Sequence, residues 1–216
     1  MAVDYLSRYV RTGDIEKAFD ISLKGIVMCR DEGGMEIGWQ LLSRIDGLSD
    51  ESIDAALRLT GFDVCYRSDP AQYRPVQDID VDQASIANVR TMVERVSNFV
   101  DWFGPVIDEE PIFSAGIVYG DGDMVTANGI WDLKVLKDKP KPKHTLQILM
   151  YWRMGLCSKP IAYGRVRRIG IFNPRSNEVW FANCDEIDPD MIKVVERDVI
   201  GILDEGGHVG EHLSEH

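Results

Sequence analysis

Apolar residues recur three and four apart at Ile86, Val89, Val93, Val96, Phe99, Val100 and Phe103. That spacing predicts one long helix over 82–103, stopped by Gly104 and Pro105. Upstream, residues 4–30 carry the same helical spacing with a break near Thr12–Asp14, and 35–46 suggest another helix. Ser49 as cap, Ser52 in the first turn and Gly61 as terminator predict a further one. "FDVCY" (62–66) is a short strand candidate. Residues 67–81, polar and punctuated by Pro70 and Pro75, form the best internal boundary.

Beyond the long helix the period changes. "PIFSAGIVYG" (111–120) reads as a strand, and "MVTANGIWDLKVL" (124–136) as a hairpin turning at Asn128-Gly129 with both residues at positive φ. "KDKPKPKH" is a stiff basic loop. Thr145–Gly155 is a helix apolar almost all round, as expected of one held between layers. "AYGRVRRIGIF" is a strand, "NPRSN" a turn and "EVWFAN" the returning strand. Asp188 caps and Pro189 starts a last helix running to about Leu203. From residue 82 the order is α, β, β, β, α, β, β, α. The expectation is an α/β chain with a mixed central sheet flanked by helices: an N-terminal helical extension over 1–81 packed on a core at 82–203, with a flexible tail at 204–216.

Composition adds bounds. The 216 residues are 44% hydrophobic and 28% charged, ordinary for a globular domain. No apolar run approaches the ~20 residues of a membrane helix, and the first residues lack a signal-peptide core. Cys29, Cys65, Cys157 and Cys184 are scattered without CxxC spacing, as reduced and mostly buried thiols of a cytoplasmic protein. Net charge is −12, which argues against a nucleic-acid partner until its distribution is seen. Trp131–Arg175 holds eleven basic residues against Asp132 and Asp138, a net +9; the rest of the chain carries −21. A basic groove on an acidic body would produce this, and so would a basic loop paired with the protein's own acidic half. Charge alone leaves the two even.

The stretch "GDGDMVTANGIWDLKV" (120–135) carries the candidate chemistry. Side chains two apart on a strand share a face, so Asp132 and Lys134 project together, opposite Trp131, Leu133 and Val135. Asp123 opens the preceding strand and approaches Asp132 across the turn. Two adjacent carboxylates stay ionised only with a cation between them. Hard oxygen ligands and water favour Mg²⁺ or Mn²⁺, and a neighbouring lysine can hold an attacking water and offset charge on a phosphoryl group.

With Asp, a β-hairpin and Asp-x-Lys on its second strand, the chain resembles the PD-(D/E)XK nuclease superfamily. Gln147 and Tyr151 of "QILMY" match the Gln-x-x-x-Tyr of its RecB-like branch, and "GDGD" matches that branch's Gly-x-x-Asp, which selects Asp123 over Asp121. The resemblance implies a restriction-endonuclease-like core, α-β-β-β-α-β, over about residues 82–172. It also implies a Mg²⁺- or Mn²⁺-dependent phosphodiester hydrolase acting on nucleic acid, with DNA the first candidate. Asp123 and Asp132 would bind the metal, Lys134 would position the water, and Gln147 and Tyr151 would line the site and contact substrate or brace the lysine. Glu94, the one acidic residue inside 84–100, stands for the acidic group the family often carries on its first core helix. The RecB-like histidine has no counterpart on that helix, and the cysteines do not supply an iron–sulfur set. Lys139, Lys141, Lys143, Arg165, Arg167 and Arg168 are the candidate phosphate contacts.

Plainer roles stand beside these. Asp121 is the natural turn residue, Lys134 pairs with Asp132 in any fold, and Tyr151 by itself suits a core position with a polar tip. Gln147 is harder to explain away, because a buried amide without a partner is costly. "RVRRIGIF" is either a phosphate-contacting strand or a charge-protected edge. His208, His212 and His216, spaced i, i+4, i+8, suit a metal on a helix, but nearby glycines favour disorder. The competing function is a nuclease-like binding module that holds nucleic acid or a protein without cutting. A small-molecule metallohydrolase is disfavoured by the size of the basic segment. No membrane role is expected, and a protein partner or oligomer stays open.

Overall fold

A computed structural model describes residues 1–29 and 33–202. The tail at 204–216, with its three histidines, lies outside the described residues. The chain forms two compact units, Met1–Phe99 and Val100–His216, divided inside the long helix.

The first unit is helical: α1 (Ala2–Thr12), α2 (Ile15–Ala18), α3 (Asp20–Met28), α4 (Gly34–Ser43), α5 (Asp50–Leu59) and α6 (Asp63–Arg67), then α7 (Gln83–Phe103), which runs on into the second unit. The break expected near Thr12–Asp14 is Gly13, left-handed at φ 70, followed by Asp14 capping α2 through the Lys17 N–H. Ser49 caps α5 as its spacing predicts, accepting from the Ser52 N–H. Gly61 does not end the helical path. A 3-10 turn, Thr60–Phe62, hands over directly to α6, so "FDVCY" is helix rather than strand. Five residues, four of them apolar, fit either period, and here Phe62, Asp63 and Cys65 are the buried side of a helical turn. The connection 67–81 contains two further 3-10 turns, Pro70–Gln72 and Val76–Asp78. On α7 the buried residues Ile86, Val89, Val93, Val96 and Phe99 are the predicted stripe.

Backbones approach closely where α3 meets the turn before α6. A Cβ on Gly25 would run into the Phe62 carbonyl oxygen and lie 2.7 Å from its carbon. Backbone cannot rotate aside as a side chain can. Gly25→Ala should therefore cost about 1–3 kcal/mol, the range for overpacking, despite alanine's better helix propensity. Urea unfolding checks this; a variant as stable as wild type would mean that α3 can slide freely.

The second unit is built on a mixed five-stranded sheet, β1 (Val106–Glu109), β4 (Met124–Thr126), β5 (Gly129–Leu133), β6 (Arg168–Asn173) and β7 (Glu178–Asn183), in the order β1-β4-β5-β6-β7. β5 and β6 are parallel and the other pairs antiparallel. Between β1 and β4 stands a separate hairpin, β2 (Ile112–Ala115) with β3 (Val118–Asp121). "PIFSAGIVYG" is thus two strands folded at Gly116, whose φ of 59 suits glycine, and "VIDE" is a strand the pattern did not reveal. α8 (Pro142–Ser158) crosses from β5 to β6 and packs against both and against β2. α9 (Pro160–Tyr163) takes the first part of the segment expected to be all strand. α10 (Pro189–Val195) starts at the Asp188 cap and continues as a π turn to Ile200, where Gly201 ends it.

The β4–β5 turn differs in detail from its motif. Thr126 pairs with Gly129, so the turn residues are Ala127-Asn128, and neither Asn128 nor Gly129 has positive φ. Gly129 serves space instead. A Cβ there would lie 2.5 Å from the Trp131 indole nitrogen, whose N–H donates to Thr126 Oγ1 at 3.1 Å.

Candidate active site

β5 is central, with β4 on one side and β6 on the other. A residue near its C-terminal end is therefore enclosed laterally, and Asp132 is only 3% exposed. A lone carboxylate at such depth would be neutralised or expelled. Lys134, two residues on and sharing its face, places Nζ 2.9 Å from Asp132 Oδ2. Met124 pairs with Trp131, so one step further the register sets Asp123 opposite Asp132. Asp123 Oδ2 accepts the Leu133 N–H at 2.6 Å, which ties its carboxylate to the β5 backbone beside Asp132.

α8 lays its side chains over this end of the sheet. Gln147 Nε2 donates to Tyr151 Oη at 2.6 Å, and Tyr151 Oη donates to the Asp121 carbonyl at 2.7 Å. Gly120 permits the approach, since a Cβ there would lie 2.7 Å from Tyr151 Cε1. Phe113 stacks on the Tyr151 ring at 4.9 Å. The Gln147–Tyr151 pair is thus a brace holding "GDGD" against α8, and in this arrangement it grips the Asp121 backbone, not the lysine. Asp121 contributes a carbonyl, with its exposed side chain at the end of β3.

Electrostatics join the group. Burial lowers the Lys134 pKa, but Asp132, then Asp123 and Tyr151, outweigh it and the net shift is upward, so the ammonium form is held. Burial raises the Tyr151 pKa, with Asp132 and Asp123 adding to it against Gln147 and Lys134. His144, absent from the sequence candidates, also belongs here. Burial together with Lys134, Lys143 and Lys141 lowers its pKa against the pull of Asp132. Its Nδ1 accepts the Lys141 N–H at 3.2 Å, which puts the proton of the neutral ring on Nε2. The signal was legible: Pro142 at the first helical position fixes the helix start, and His144, Gln147 and Tyr151 then fall at i, i+3, i+7 on one face.

The basic residues separate into two groups. Lys139, Lys141 and Lys143 are exposed on the loop and first turn leading from Lys134 into α8. That loop is clamped by Asn173, which accepts from the Leu136 N–H at 3.2 Å and donates to its carbonyl at 3.0 Å. Arg165, Arg167 and Arg168 lie at the other end of the strands. Arg168 pairs with Gly129, three residues before Asp132 and roughly 10 Å away along the strand. Arg167 donates to the Gly164 and Val166 carbonyls, and the Arg168 guanidinium sits over the Phe181 ring. Glu94 is exposed on the part of α7 belonging to the first unit, and the cluster described here is built from the second unit alone.

Cys29, Cys65, Cys157 and Cys184 are free thiols, with Cys65 and Cys184 buried. Among the described residues no helix is long and apolar enough to cross a membrane, and no group of three or more His, Cys, Asp or Glu is placed to hold a metal. No family model, curated protein or solved structure matches the chain.

Proposed function

We propose that the second unit is a metal-dependent nuclease of the PD-(D/E)XK type, hydrolysing phosphodiester bonds of nucleic acid, with DNA the first substrate to try. The observation that carries this is the meeting of Asp123, Asp132 and Lys134 at one end of the sheet beneath Gln147 and Tyr151. The strand order is compatible with the family's core, with the β2–β3 hairpin as an insertion between its first and second strands.

Two carboxylates suit an ion that keeps several waters and takes the rest of its ligands from substrate phosphate, as Mg²⁺ and Mn²⁺ do. Held by Asp123 and Asp132, such an ion would supply positive charge to phosphoryl oxygens and acidify a water. The chain's own groups do the remainder. The Lys134 ammonium, kept protonated, holds a water or a phosphoryl oxygen by charge and offsets the negative charge that grows in the transition state. It is a donor and not a base while Asp132 faces it. Gln147 and Tyr151 are positioning residues that fix the loop bearing Asp123. His144, with its Nε2 proton, adds a neutral donor. The test is Mg²⁺- or Mn²⁺-dependent cleavage of a mixed DNA and RNA panel; no cleavage in any arm overturns the reading.

One observation favours the competing function, a nuclease-like binding module. Lys134 Nζ already stands 2.9 Å from Asp132 Oδ2, so the buried carboxylate has a counter-charge from the chain itself. Binding with no cutting is that reading's outcome.

If Lys139, Lys141 and Lys143 contact phosphates, replacing all three by Ala should lower the slope of log K against log salt by about 2–3. An unchanged slope assigns the loop another task. Arg165, Arg167 and Arg168, at the far strand ends, should matter less to cleavage than these lysines.

A further inference from the structure

Beside the charged cluster lies a groove of about 440 Å³, lined wholly by residues of the second unit. Its floor is β6 and β7, and its walls are the first half of α8 and α10. Apart from the Thr145 hydroxyl and the Trp180 indole N–H, the lining side chains are apolar.

Its position relative to the candidate site follows from register. Asp132 pairs with Ile171, and Ile171 pairs with Trp180. Paired residues on neighbouring strands project to one face, so the row Asp132, Ile171, Trp180 leads from the carboxylate onto the groove floor. Two strand spacings make this roughly 10 Å. On α8, Thr145 and Leu146 line the groove and directly follow His144, which feels both Lys134 and Asp132. A phosphate-handling end and an apolar slot with an indole on its floor therefore share one face of the sheet.

We propose that this groove receives one unstacked nucleobase of the strand whose phosphate lies at Asp123, Asp132 and Lys134, which makes single-stranded or frayed nucleic acid the substrate class. The inference rests on the nuclease reading for the identity of the charged end. A base has two apolar faces, for which an indole is a sequence-tolerant stacking partner. It enters a slot between sheet and helices only when released from its neighbours, which is least costly where it is already unpaired. The row from carboxylate to indole gives the polar-to-apolar order that a nucleotide has from phosphate through sugar to base.

The test uses the full chain with chelator, so that nothing is cut. The Trp180 indole resonance is identified by its loss in Trp180→Phe. At least one of the four nucleoside 5′-monophosphates should shift it saturably, and ribose 5-phosphate should not. Leu146→Trp, at a position already 36% exposed, should fill the groove and abolish the shift with the thermal midpoint unchanged. Met191→Trp on the opposite wall, 55% exposed, serves if the first variant does not fold. No shift with any nucleotide overturns the proposal, as does an equal shift with ribose 5-phosphate. A shift produced by dodecanoate and by no nucleotide also overturns it and assigns the groove to an acyl chain. Because this experiment involves no cleavage, base binding by a protein that cuts nothing overturns the nuclease reading alone. Where the wild type cuts, Leu146→Trp should lower kcat/KM on single strands about tenfold, as one lost base stack implies. Unchanged single-strand cleavage sinks the pocket and leaves the nuclease reading standing.

Discussion

Lys134→Gln and Asp132→Asn are each expected to lower metal-dependent cleavage by about 10²-fold or more, the effect of removing one group that stabilises transition-state charge. Glutamine is the better lysine replacement here. Asp132 is 3% exposed with Lys134 as its counter-ion, so an alanine at 134 would strand a buried carboxylate and confound catalysis with stability. Glutamine also removes the counter-charge, but its amide keeps a hydrogen-bond donor on the Asp132 side, so less of the cost of a stranded carboxylate is incurred than with alanine. Asp132→Asn takes one charge from the carboxylate pair, so added Mn²⁺ should recover part of its activity, whereas Lys134→Gln should not respond. Nucleic-acid binding should survive Lys134→Gln, because the exposed lysines of the following loop carry most of that electrostatic term. The measurements are cleavage rate, metal titration and thermal midpoint, the last staying near wild type. A Lys134→Gln protein that cuts as fast as wild type would reduce Asp-x-Lys to a structural ion pair.

Asp63→Ala should strongly destabilise the first unit. The Asp63 carboxylate accepts from Ser22 Oγ at 2.6 Å and from Tyr5 Oη at 2.9 Å, and all three residues are buried. Arg67 reaches Tyr5 Oη at 3.5 Å. Alanine leaves two buried hydroxyls without their acceptor, which costs about 2–4 kcal/mol in sum, or on the order of 10 °C in thermal midpoint. Burial raises the Asp63 pKa above its ordinary 3.8, and the Ser22 and Tyr5 hydrogen bonds with Arg67 only partly oppose it. The folded state therefore favours the protonated acid. The stability from this group is fullest below 3.8 and is lost as pH rises through the raised folded value. The stability of wild type relative to Asp63→Asn should accordingly fall with rising pH across that window and level off above it. A difference that grows with pH would mean the carboxylate is held charged by its neighbours. Denaturant midpoints of both proteins at matched pH settle the sign.

Local signals in the sequence determined the elements whose cause is local. The α7 stripe, the Ser49 and Asp188 caps, the break at Gly13 and the β6–β7 hairpin each follow from spacing or from a side chain bonding its own backbone, with no need of a distant partner. The same holds for the shared face of Asp132 and Lys134, which alternation alone requires, and for Gln147 with Tyr151 one turn apart. Asp123 was legible as a neighbour of Asp132 across a short turn, but a turn at Asn128-Gly129 would set it opposite Lys134, and the observed register, with Thr126 on Gly129, sets it opposite Asp132.

Tertiary structure decided what short apolar runs leave open. "FDVCY" is helical because Asp63 has to meet Tyr5 and Ser22, residues 58 and 41 positions away. "PIFSAGIVYG" folds back on itself because Phe113 packs against Tyr151 and Tyr163 of another layer, a contact that period-two alternation cannot encode. The Asn128-Gly129 signal marked the turn, but pairing of Thr126 with Gly129 makes Ala127-Asn128 its central residues and leaves Gly129 in the strand against the Trp131 indole. The single basic segment became two clusters because parallel pairing of β5 with β6 carries Arg165–Arg168 to the strand end away from Asp132. Pairing register and packing against remote side chains are properties of the assembled sheet, and they placed the groove beside the carboxylates as well.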